Sequence, residues 1–400
     1  LLSDDAVPLS VAASVLGGLA SSRLDNQLVR GEQTAVQVSS YLSDFHRVGI
    51  FDISVNVKPG QDAAEVGARL DAIVADFIAS GPTEEEVARV ATQYVSRRIQ
   101  SLEQVNGKAN VLAEGQLYAG DPDHYKTELA AYAAVTPAQV TAAMQRWLTR
   151  PVFSLTIAPG EREAYEEAAP TRAEPVPAAE IQRVARDPMP AIGEVQDLQF
   201  PAVERATLSN GMPVVYAHVD TVPVTRVAVE FNAGYAADRA DRLGAHSLML
   251  DLLDEGTTTR DANQLAEEQE RLGASLNVGA SMDRSAANLS VVTANLAPSL
   301  TLMADVLRHP AFAPSEVERL RAQRLAALAN EATQPGAIAA RALPPLLYGA
   351  DSPYGRSFTG TGDAATVNAL TRADLVQEHD AWVRPDNATV FVVSNLPLSQ

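Results

Sequence analysis

Apolar residues recur along this chain at two spacings, and the change from one to the other marks out its elements. Leu243–Thr257 (LGAHSLMLDLLDEGT) repeats Leu248, Leu252 and Leu253 at helical spacing, with Leu250 close to the same face. It reads as one amphipathic helix opened by Gly244 and stopped at Gly256. Ala63–Ser80 turns Val66, Leu70, Ile73, Val74 and Phe77 inward as a second amphipathic helix. Thr83 and Glu86 form a capping box before a helix that runs to about Asn106. Val135-Thr136-Pro137 opens a capped helix that ends at Trp147, and Thr371 with Asp374 opens another through Trp382. Leu265–Leu272, Leu296–Leu307 and Ser315–Glu331 complete the helices. Period-two alternation makes a half-buried strand of Phe51–Val57, Thr389–Ser394 reads as a buried strand, and Phe153–Ile157, Val224–Asn232, Gly273–Val278 and Ala286–Val292 read as further strands. Asn210-Gly211 turns a hairpin across Arg205–Val215.

The elements fall into two groups. Residues 1–160 form one lobe and 201–400 another, joined by a connector at 161–200 rich in Pro, Ala and Glu and expected to be extended. The lobes need not share a continuous core, so a mostly polar contact between them is expected. Both chain ends break into an element, which suggests a piece of a longer polypeptide.

Composition narrows the function. Hydrophobic residues make up 46% and charged ones 20%, which is a globular profile. The net charge of −19, from 50 acidic and 31 basic residues, argues against nucleic acid or an anionic membrane as partner. With no cysteine there is no disulfide, thiolate zinc site or thiol nucleophile. No run of apolar residues is long enough to span a membrane.

The motifs, taken in order, resemble the pitrilysin/insulinase (M16) metallopeptidases and mitochondrial processing peptidases. The first lobe carries Gly17–Leu24, Phe51–Val57, Thr83–Glu86, Gly120–Pro122, Val135–Val140 and Val152–Ile157, like the second lobe of an M16 half. The second carries the Asn210-Gly211 hairpin, the stretch 243–257, His309-Pro310, the loop Leu346–Thr361 and Arg384-Pro385, like a first lobe. The resemblance implies an α+β fold of two LuxS/processing-peptidase-like lobes, each an antiparallel sheet with helices on one face. It also implies a middle fragment of a two-half fused protein.

The family's zinc helix carries H-x-x-E-H, in which two histidines pinch Zn²⁺ and the glutamate activates its water. Anchored on Gly244 and Gly256-Thr257, those three positions fall on Ser247, Leu250 and Asp251. His246 sits one residue early, and His246 and Asp251 point about 140° apart on a helix. His246 is therefore read as a polar residue near a helix start. The family's third ligand, a glutamate, falls near Ala326-Ala327. No catalytic or metal-binding residue is expected in this chain, and zinc is expected in the parent protein. Glu331, Asp254-Glu255 and Glu84–Glu86 read as solvated. His46, His124, His218, His309 and His379 form no spaced pair with another His or Glu on a clear helix.

The candidate substrate-binding residues are Gly17, Gly18, Ser21, Ser22 and Arg23, by likeness to a glycine-rich stretch of the non-catalytic processing-peptidase subunit. Two functions follow. The chain is a non-catalytic, chamber-forming segment that supports peptide hydrolysis by its parent, or a wholly non-catalytic partner subunit or scaffold. The expected partners are a peptide or unfolded protein and the missing M16 lobes or a catalytic subunit. A periplasmic or extracytoplasmic location is expected from the resemblance and the absence of cysteine.

Overall fold

Helix starts are fixed locally by side chains that satisfy the first free backbone N–H groups. Reciprocal capping boxes open α3 (Glu84–Ser101, Thr83 with Glu86), α6 (Pro137–Trp147, Thr136 with Gln139), α8 (Ala262–Leu272, Asp261 with Gln264) and α13 (Arg372–Trp382, Thr371 with Asp374). The computed structural model describes residues 3–45, 47–158, 160, 188–189, 191, 193–194, 197 and 199–400. The connector therefore lies largely outside the described residues, as does His46.

Leu1–Arg150 and Pro201–Gln400 make one compact unit, and Pro151–Phe200 a second. Within the first unit, the N-terminal part contains α1 (Ala6–Ala13), a two-stranded sheet of β1 (Ala35–Asp44) and β2 (Gly49–Val57), α2 (Ala63–Ser80), α3, α4 (Val105–Glu114), α5 (His124–Ala134) and α6. Its core gathers Leu16, Leu24, Leu28, Phe77 and Met144, all fully buried. β1 carries too many serines and too little alternation to announce itself in the sequence.

The C-terminal part is built on six strands: β3 (Val203–Thr207), β4 (Pro213–His218), β5 (Val224–Phe231), β6 (Ser275–Ala280), β7 (Ser285–Val292) and β8 (Ala388–Ser394). They lie in the order β3-β4-β8-β5-β7-β6. The fold class is α+β as expected, but this sheet is mixed: β4 and β8 pair in parallel, and every other pair is antiparallel. α7 (Ala245–Asp251), α9 (Leu296–Arg308), α10 (Pro314–Glu331), α11 (Pro335–Tyr348), α12 (Ala364–Ala369) and α13 complete it. Leu248, Leu250, Leu253, Leu265, Val306 and Leu375 meet the sheet in one hydrophobic cluster.

Two expectations change. Residues 243–257 do not form one helix: α7 has seven residues, and Leu252–Gly256 turns instead, with Gly256 at φ 133°. Leu252 and Leu253 still reach the core, so the apolar pattern recorded burial correctly and continuity wrongly. In the second unit, residues 151–158 form no strand. Val152, Phe153, Leu155 and Ile157 stay 70% to 86% exposed, because no described strand pairs with their backbone.

The two hydrophobic clusters of the first unit are joined by polar contacts. Glu270 of α8, 3% exposed, accepts the Ser21 backbone N–H at 3.1 Å and the Ser21 hydroxyl, and Arg89 Nε of α3 lies 3.5 Å away. Arg226 donates to Glu103 through Nε (3.1 Å) and Nη2 (2.5 Å). Burial raises the Glu270 carboxyl above the usual range, and the Ser21 bonds and Arg89 oppose the shift. Glu270→Ala would remove the one buried carboxylate beside Arg89, leaving it Glu85 at 3.1 Å and Glu267 at 3.8 Å, and would take the acceptor from both Ser21 donors. An expected loss of roughly 3 kcal/mol follows from breaking a buried pair. Urea unfolding checks it, and a loss within error of zero would show that the seam does not depend on Glu270.

Candidate functional site

α7 is too short to persist alone in water, so its surroundings hold it. Gly244, at φ 89°, lets the chain enter it; a Cβ there would sit 3.0 Å from the Thr361 oxygen and from Gly362 Cα. Asp238, 5% exposed, takes the place of a cap: its carboxylate accepts from Gly244 N at 2.6 Å and His246 N at 2.9 Å. Burial pushes its pKa up to about 6, against the pull of those two bonds and of His246.

His246 is not a loosely placed polar residue near a helix start. It is buried, with Nε2 2.6 Å from Ser285 Oγ and Nδ1 3.0 Å from Glu378 Oε1 of α13. The Ser–His–acid order invites comparison with a nucleophilic triad. The direction of the bonds excludes it: Ser285 donates its hydroxyl proton to the Ala233 carbonyl at 2.6 Å, so it accepts from His246 Nε2–H. His246 is a structural tie between α7, β7 and α13.

The three positions that the zinc motif would need are differently used. Leu250, in place of the glutamate, is 2% exposed in the core and has no polar atom to offer. Ser247 donates its hydroxyl to the Gly360 carbonyl at 2.6 Å. Arg324 of α10 enters between the other two positions. Its Nη1 donates to Ser247 Oγ at 2.7 Å, and its Nη2 donates to the Asp251 carboxylate. Ala326 and Ala327 are exposed and carry no ligand. Zinc takes nitrogen, oxygen or sulfur donors around an open centre. Here the donors are one hydroxyl and one carboxylate, both already bound to a guanidinium, so these residues do not fit the metal. Among the described residues, no group of three or more His, Cys, Asp or Glu is placed to hold a metal ion.

The acidic residues beyond α7 are not solvated either. Glu255 pairs with Arg319 at 2.5 Å and lies 3.5 Å from Arg30 of the N-terminal part. Burial, with Glu255 beside it, pushes Asp254 up to about 6. Glu331 pairs with Arg341 of α11 at 2.6 Å. Arg341 also donates to the Gly362 carbonyl at 2.8 Å and to Thr361 Oγ1 at 2.5 Å, holding the loop that lies over Gly244. Glu86 pairs with Arg23. Arg324, Arg341, Glu378 and Ser285 escaped the sequence reading because their partners lie tens of residues away.

The candidate substrate residues occupy a different place. Gly17 is buried where a Cβ would meet Ser40 N at 2.9 Å. Ser21 serves Glu270, as above, and Ser22 is 1% exposed. Arg23 donates to both Glu86 oxygens and to the Gly81 carbonyl, all at 2.9 Å, and lies over the Phe77 ring. Gly18 is exposed and lines a cavity of about 320 Å³ with Ala20, Gln269 and the β6 residues Ser275 and Asn277. The structure thus separates this turn from α7.

Asp238 gives a pH test. Its folded pKa stands above the unfolded value of about 4, so its contribution to stability is present below pH 4 and lost as pH rises through about 6. Asp238→Asn keeps an acceptor without the charge. The stability difference between pH 5 and pH 7.5 should shrink by about 1.4 kcal/mol in the variant, one pKa unit of linkage lying above pH 5. Urea unfolding at both pH values checks this, and an unchanged difference would contradict the assignment.

Comparison with known proteins agrees with these features. Residues 213–351 match the model of the insulinase family, peptidase family M16, and residues 2–94 match that of the peptidase M16 inactive domain. An uncharacterized zinc protease of Mycobacterium leprae is 29% identical over 192 residues, covering 48% of this chain and 42% of the relative. A non-peptidase homolog, YmxG, of Helicobacter pylori is 23% identical over 210 residues, covering 52% of this chain and 48% of the relative. The crystal structure of a peptidase M16 inactive domain from Pseudomonas fluorescens is similar with a TM-score of 0.47 and 28% identity, covering 50% of this chain and 48% of that one. The chain spans about half the length of the curated relatives it matches. With residues 2–94 matching the peptidase M16 inactive domain and residues 213–351 matching the insulinase family, the chain belongs to the M16 peptidase family.

Proposed function

We propose that this chain is a non-catalytic segment of an M16-type zinc endopeptidase, forming part of the wall that encloses a peptide while another part of the parent cleaves it. The observation that carries this reading is the state of α7: serine, leucine and aspartate stand at the ligand and base positions, and Arg324 lies between the first and last. Leucine cannot activate a water, and one carboxylate with one hydroxyl cannot hold Zn²⁺ in the geometry hydrolysis needs. The order of the matches, inactive domain before insulinase domain, supports a chain running from one half into the next. An extracytoplasmic location belongs to the same proposal and rests on the family and the absence of cysteine.

The substrate contact fits best at the cavity beside Gly18. β6 is an edge strand, so one row of its backbone N–H and C=O groups is unpaired within the sheet. An extended peptide can add to such an edge, with main-chain bonds that are indifferent to sequence. Gly18 and Ala20 leave room over it because neither has a large side chain.

A second reading, a wholly non-catalytic partner subunit or scaffold, is favoured by the non-peptidase homolog among the relatives. It differs only in what the parent does. Zinc-dependent hydrolysis by the full-length parent supports the first reading, and its absence from a folded parent supports the second.

The 400-residue chain itself should bind a fluorescein-labelled unstructured peptide and leave it uncleaved with zinc present. Asn277→Trp, which fills the cavity from an exposed position, should weaken binding about tenfold, or ~1.4 kcal/mol. Fluorescence anisotropy and mass spectrometry of the peptide read the two outcomes. Cleavage by this chain would overturn the non-catalytic reading, and unchanged affinity in Asn277→Trp would remove β6 as the contact.

A further inference from the structure

We propose that Arg324 is the resident cation of this lobe: its guanidinium stabilises the α7 site without a metal and keeps metals out of it. Positions 247 and 251 are four apart and lie on one face of α7, the spacing at which the two family ligands would converge. Arg324 answers that spacing with a planar fork, one nitrogen to each position. The Ser247 hydroxyl spends its proton on the Gly360 carbonyl, so the oxygen that faces Arg324 acts as acceptor. Asp251 supplies the opposite charge.

The site is complete in charge and in hydrogen bonds. Arg324 is only 11% exposed and Ser247 7%, so the guanidinium is largely removed from water and is held by its two partners. It comes from α10, the helix on which the family would place a third ligand. That helix here delivers a positive charge three residues before Ala327. A divalent cation brought to the same point would meet a fixed positive charge and donors that are already engaged. Unlike a metal, the guanidinium is covalently part of the chain, so chelation cannot remove it. Arg324 plays this part whether or not the parent protein hydrolyses peptides.

Two measurements on the 400-residue chain test the assignment. The first is a double-mutant cycle of Arg324→Met and Asp251→Asn by urea unfolding, with EDTA and then zinc added to the unsubstituted chain. Arg324→Met should shift the unfolding equilibrium about tenfold toward the unfolded state. Adding Asp251→Asn should restore at least about threefold of it, because the orphaned carboxylate is gone. Neither EDTA nor zinc should move the midpoint of the unsubstituted chain. A zero coupling, or a saturable stabilisation of that chain by zinc, would overturn the proposal.

The second measurement places Ser247→His and Asp251→His together in the Arg324 and the Arg324→Ala backgrounds and compares zinc affinity by competition with a chromogenic chelator. At least about tenfold tighter binding is expected once Arg324 is removed, the range over which a neighbouring group tunes a metal site. Equal affinity in both backgrounds would show that Arg324 does not guard the site. Should the histidine variants fail to fold, the double-mutant cycle decides alone.

Discussion

A seven-residue helix cannot hold itself together in water, and everything that distinguishes this lobe follows from how α7 is held. Its entry is fixed by Asp238 on two backbone N–H groups, its middle by His246 between β7 and α13, and its exposed face by Arg324. Its inner face is Leu248, Met249 and Leu250, packed against the sheet. In a zinc enzyme of this family the metal would tie that helix to its neighbour. Here an arginine on α10 makes the same connection. The tie between α7 and α10 is thus made by side chains of this chain.

The second structural dependence is the seam inside the compact unit. Two hydrophobic clusters, one around Phe77 and Met144 and one around Leu250 and Leu375, stay separate. They meet through polar groups: Glu270 with Ser21 and Arg89, Glu103 with Arg226, and Glu255 with Arg30. The turn that carries Gly18 is anchored by this seam. Ser21, three residues on, hands both its donors to Glu270, so the backbone at Gly18 stands at a fixed place opposite the edge strand β6, whose Leu276 N–H is held by Gln269 Oε1 at 3.1 Å.

What the sequence revealed follows the range of the interactions. Caps are local: Thr83 with Glu86 and Thr371 with Asp374 act over three residues and were legible, as was the Thr136 cap though not its partner Gln139. The apolar faces of α2 and α10 were legible for the same reason. β1 was missed because Ser39, Ser40 and Ser43 interrupt its alternation, and α11 because Pro344 and Pro345 sit inside it. The strand read at Phe153–Ile157 has the right pattern but no partner among the described residues, and pairing is not a property of one segment. That Ser247, Leu250 and Asp251 stand at the positions of the zinc motif is visible in the sequence alone. That Arg324 bonds two of them is not: it lies 73 residues from Asp251, in a helix whose other arginines, Arg319 and Arg321, pair with carboxylates on their own helix.

The central claim is that this lobe is complete without zinc. The most direct measurement is the metal content of the 400-residue chain, purified from zinc-supplemented medium, dialysed and analysed by inductively coupled plasma mass spectrometry. The expected result is far below one zinc per chain, with the fold intact by circular dichroism. One tightly held zinc per folded chain would contradict the account, because the metal would then occupy ground assigned here to the guanidinium of Arg324.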